Sequence, residues 1–148
     1  LKYREQFKKP PTILYAEWAL WAWIAWTCLF GIYQSWSKIP DIEQIMADEF
    51  QGLYSIDPSS LTEIIIATYA VVAALSAWVV FRIGAGKNWA RGSLLWSFIL
   101  ELFWLLAPPY HEVSTYLINI PDLGLQVYAL YILYTDPGSR WFLSEYHQ

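Results

Sequence analysis

One cysteine, one methionine and two histidines are all that 148 residues offer to thiol or soft-metal chemistry. Cys28 stands alone, so no disulfide forms within the chain, and CxxC redox chemistry and cysteine zinc sites are excluded. Charge is scarce too. Asp, Glu, Lys and Arg make up 15% of the residues, against about 25% in an ordinary soluble domain. That deficit leaves too little polar surface to cover a water-facing globule. The missing charge falls mostly in four long blocks, which is the pattern of membrane spans. No phosphate-binding glycine loop, no nucleophile beside a partnered base and no paired carboxylate can be read along the chain, so nothing announces an enzyme. The basic residues are few and lie beside helix ends, which excludes nucleic acid as a partner.

What the chain has instead is apolar and aromatic surface, 57% and 19% of its residues. The blocks predict an all-α, polytopic membrane protein, a single domain of four spans over about 12–33, 61–83, 88–106 and 113–135. About 20 apolar residues suffice to cross the hydrocarbon at 1.5 Å per residue. The first block is too long for a signal-peptide core and no small-residue cleavage site follows it, so it reads as a retained helix. Pro10 and Pro11 suit its entry. Ser60 and Glu63 have capping-box spacing at the second span. Gly84 is the expected C-terminal cap of that span, and Pro108-Pro109 stop the third. The fourth contains Asn119, Pro121 and Asp122. It is expected to be one helix kinked at Pro121, with a half-helix after a re-entrant loop as the alternative. Asp136-Pro137-Gly138-Ser139 reads as a turn, followed by a helical turn or two in which Trp141 and Phe142 anchor to the membrane surface.

Between the first two spans lies an acidic stretch with Asp41, Glu43, Asp48, Glu49 and Asp57. Ile42, Ile45, Met46, Phe50 and Leu53 recur in it at helical spacing, which predicts a short amphipathic helix on the outer surface. In a four-pass arrangement Lys2, Arg4, Lys8, Lys9, Arg82, Lys87, Arg91 and Arg140 share one side, and only Lys38 lies on the other. The positive-inside rule then places both termini in the cytoplasm.

The turn Gly86-Lys87-Asn88-Trp89-Ala90-Arg91 resembles the second-to-third helix turn of a group of small bacterial inner-membrane proteins with four helices. The ending Asp136-Pro137-Gly138-Ser139-Arg140-Trp141-Phe142 and Gln126 in the fourth span resemble the same group. The likeness covers about the second half of the chain. The acidic outer segment and the tryptophan-dense first span depart from it. The resemblance implies architecture and location, and carries no activity with it. A lone glutamate in a first helix is also a feature of small multidrug transporters, but their glycine-rich second helix and short loops are absent.

Ionisable groups within the spans are the first candidates for function, since each costs about 2.5–3.5 kcal/mol to place there even on the lenient insertion scale. Glu17 and Arg82 lie at similar depth and are expected to pair. Glu101 has no base at its depth. It is expected to bond to Gln126 or a tyrosine, or to line a wet cavity. Trp18, Trp21, Trp23 and Trp26 crowd the first span, and Ala67, Ala70, Ala74 and Ala77 line one face of the second. The ordinary reading interlocks the tryptophans with the small face, and the sharper one makes them an aromatic ligand cage. His111-Glu112 make a thin case for a metal, and His111 and His147 fall at opposite ends, which argues against a haem held across the spans. No metal or cofactor is expected. The sequence therefore points to a non-enzymatic membrane protein, an accessory or assembly subunit that contacts lipid and a membrane-protein partner or a second copy of itself. A small proton-coupled carrier or channel using the intramembrane glutamates is the alternative.

Overall fold

A computed structural model describes residues 9–40, 44, 58–107 and 113–143. Five helices run through them: α1 (Pro11–Ser37), α2 (Pro58–Gly84), α3 (Asn88–Leu106), α4 (Val113–Tyr134) and α5 (Gly138–Leu143). The first four are long and apolar enough to cross a membrane, and no strand occurs among the described residues. This is the expected all-α, four-span protein. The amphipathic helix expected in the acidic segment lies outside the described residues, as do His111, Glu112 and His147.

Several boundaries differ from the sequence reading for local reasons. α1 runs on to Ser37, whose hydroxyl closes onto the Gln34 carbonyl at 2.8 Å. Its polar end keeps helical bonds past the apolar run. α2 begins at Pro58, two residues before the serine expected to cap it. Proline at the first helical position gives up an N–H that has no partner there anyway. The cap at the other end is Gly86, not Gly84. Gly86 has φ of +77°, its N–H bonds to the Ile83 carbonyl at 2.9 Å, and Lys87 N–H bonds to the Arg82 carbonyl at 3.0 Å. That pair of bonds is a Schellman closure, which needs the left-handed residue two places after the last helical one. α4 is one helix with Pro121 inside it, and the re-entrant alternative does not form.

The chain makes two compact units, one from the first 24 residues with 76–148 and one from 25–75. In the larger, Ile13, Ala16, Leu20 and Ile24 form a buried stripe on α1 at steps of three and four. α3 packs on α4, and α5 folds back on α4. Ala90, Leu94 and Leu105 of α3 are buried, as are Ala129, Leu130 and Leu133 of α4. Phe142 of α5 is completely buried, so it is a core residue and not the surface anchor expected of it. It and Tyr134 sandwich the Arg91 guanidinium at 4.9 and 4.5 Å from their ring centres. In the smaller unit, Tyr69 of α2 lies over Gly31 of α1, and its hydroxyl is 3.4 Å from that of Ser35. A side chain at 31 would displace the ring.

Candidate functional site

Asp122 and Gln126 are one turn apart on α4 and both are buried, Gln126 completely. Their i, i+4 spacing stacks them on one helix face. That is the face presented to α3, where Glu101 stands roughly 20 Å along the helix from Asn88 at 1.5 Å per residue. The Gln126 amide nitrogen donates to Glu101 Oε2, and also reaches Asp122 Oδ2 at 3.3 Å. The Glu101 and Asp122 carboxyl groups therefore share one amide nitrogen. The Gln126 amide oxygen is buried and meets no hydrogen-bond partner among the described residues. Two acids and one amide thus form a polar knot inside two apolar spans.

The bond from Gln126 to Glu101 is one of the three alternatives that the sequence leaves open for that acid. Asp122 was missed. In the sequence it stands only as one of the polar residues of the fourth span, beside Pro121. The signal was present in the pair Asp122 and Gln126, four residues apart in a helix that tolerates few polar groups. The fold also makes what the sequence did not display, a paired carboxylate, from residues 21 positions apart.

Glu17 and Arg82 do not pair. Glu17 forms its ion pair with Lys9, the two side chains being 15% and 35% exposed. Lys9 precedes α1, and its long stem reaches two turns along the helix. Gly84 leaves the room in which the Glu17 carboxylate sits. Arg82 instead lies 5.6 Å from the Trp78 ring centre, and Trp78 is 4.9 Å from Trp89. The arginine turns back over an aromatic ring one helical turn earlier, where an exposed guanidinium keeps its water.

The tryptophans do not form the expected seam either. Trp18 is 67% exposed, and Trp21 rests edge-on against Phe81 at 5.4 Å, an aromatic and not an alanine. Trp26 stacks on Phe30 at 4.0 Å. Ala67, Ala70 and Ala74 are exposed and Ala77 is half-buried. The covered positions of α2 are Ile65, Tyr69, Ala73, Ser76, Val80 and Ile83, about a third of a turn round the helix from the alanines. Ala73 and Ser76 share the covered side with larger residues, and Ala67, Ala70 and Ala74 are left open. No family model, curated protein or solved structure matches this chain.

Proposed function

We propose that this is a non-enzymatic four-span protein of a bacterial inner membrane, with both ends in the cytoplasm, acting as an accessory or assembly subunit of a larger membrane complex. The observation that carries the reading is the open small-residue face of α2. Lipid tails are as apolar as any side chain, so apolar exposure alone recruits nothing. Small residues at helical spacing are different, since they let a second backbone approach closely. Ala67, Ala70 and Ala74 are exposed on the least covered of the four spans. A photo-crosslinking residue at position 70 or 74, in cells, is expected to trap one protein species in stoichiometric yield. The same residue at Leu75, which is 60% exposed on another face, is expected to trap lipid. Equal, diffuse labelling from all three positions, with a clean monomer in mild detergent, ends this reading. The topology has its own check: a cysteine at Lys87 labelled from the periplasm would reverse the orientation.

A second reading rests on a specific observation, the knot of Glu101, Asp122 and Gln126 between two spans. Acids held there at such a penalty are the groups that carriers use to take up and release protons. In this reading the protein is a small proton-coupled carrier or channel. Protein in vesicles carrying a pH gradient is expected to dissipate it, and Glu101→Gln is expected to abolish that flux with helix content unchanged. Wild-type protein that leaves the gradient intact removes the carrier reading.

A further inference from the structure

The Gln126 amide serves two acids with its nitrogen while its buried oxygen has no partner among the described residues. An ionised carboxylate cannot satisfy that oxygen, because it carries acceptors only. A protonated carboxyl can, through its O–H. Glu101 and Asp122 make the same demand from another direction. Each places an oxygen on the same Gln126 nitrogen, and two carboxylates crowded onto one donor repel until a proton neutralises one of them. An idle buried acceptor and two acids crowded on one donor call for the same particle, a proton.

We propose that Glu101, Asp122 and Gln126 form a proton-binding site, in which two carboxyl groups share one proton and the Gln126 amide partners whichever acid carries it. A carboxamide offers a donor and an acceptor side by side, the complement of a carboxylic acid. Uptake of the proton forms one O–H bond and lowers the charge of the pair from two negatives to one. Release reverses this, and no electron moves. The geometry selects a proton over a metal cation. The donor end of the amide stands where a cation bridging the two acids would have to sit, and its positive hydrogens would repel that cation. Among the described residues Glu101 bonds to Gln126 and forms no ion pair with a base. Arg91, the base of α3, is held at the other end of the helix by Tyr134, Phe142 and the Leu133 carbonyl.

The site rests on the carrier reading only for the use made of the proton. Its test is infrared spectroscopy of the full chain in phosphatidylcholine vesicles, with aspartate and glutamate carboxyl groups isotopically labelled in turn. A protonated-carboxyl stretch is expected at neutral pH. The double variant Glu101→Gln with Asp122→Asn is expected to lose it completely. Gln126→Leu is expected to keep the band and shift its frequency as the amide partner disappears, which a purely structural role would not do. Absence of the band in folded wild-type protein would falsify the site, and so would its survival in the double variant. A band without proton flux keeps the site and removes the carrier reading. Flux without the band keeps the carrier and removes the site.

Discussion

Glu17 meets Lys9 at 15% exposure, and the consequence is measurable. Removing the cation alone leaves a half-sheltered carboxylate with no partner, and removing both leaves a neutral contact. Lys9→Met is therefore expected to lower unfolding stability in detergent by more than Lys9→Met with Glu17→Gln. A coupling of about 0.5–3 kcal/mol in the double-mutant cycle is typical for contacting residues, and strict additivity counts against the pair. Arg91 tests geometry instead of charge. Its planar guanidinium lies between two rings and donates to the Leu133 carbonyl at 3.3 Å. Lysine keeps the charge but cannot stack, so Arg91→Lys is expected to cost roughly 1–2 kcal/mol, read as a lower melting midpoint. Asp136 supplies the pH dependence. The Arg140 guanidinium, and after it the Ser139 hydroxyl, hold its carboxyl below the usual range. A depressed folded value means that the stabilisation is present above the ordinary aspartate range, near pH 3.9. It disappears as pH falls through the lower folded value. The pair is exposed, so the effect is small and local. NMR is expected to show the Arg140 side chain released only at acid pH, and at every pH in Asp136→Asn.

At the scale of elements, the turn between α2 and α3 depends on one backbone angle. Gly86 sits at +77°, and a Cβ there would come within 3.2 Å of the Trp141 ring nitrogen. Alanine in that conformation costs about 1–2 kcal/mol from sterics alone. Gly86→Ala is expected to lower stability by at least that amount and to increase proteolysis at the turn, whereas Ala85→Gly is expected to do neither. The helices themselves were legible because length and hydropathy suffice to define a span. Their ends were less so. Ser60 and Glu63 have the spacing of a cap, but Pro58 starts the helix earlier at no loss of backbone bonding. Gly84 and Gly86 are both plausible stops on the page, and only the bond pattern of the Schellman closure tells them apart.

At the scale of the whole molecule, the sequence displays what each helix is made of but not which faces meet. Glu101 and Gln126 could be matched because polar groups in lipid have few alternatives. The Lys9 partner of Glu17 is not legible in the sequence because position along a helix gives depth only, while a lysine stem reaches across turns. The tryptophan and alanine stripes misled for the opposite reason. In lipid an apolar stripe gains nothing by being buried, so periodicity no longer marks a core. Phe142 reads as a surface anchor in the sequence because no local signal there shows that α5 doubles back on α4.

That doubling back has a consequence for how the protein is made. The aromatic pair that encloses Arg91 comes from Tyr134 and Phe142, the second of them roughly fifty residues downstream. At about 5–20 residues per second, the arginine waits on the order of 3–10 s after joining the chain before its second ring is translated. For that interval the base of the third helix is open, and a ribosome stalled anywhere before Phe142 would hand quality-control proteases an unfinished joint.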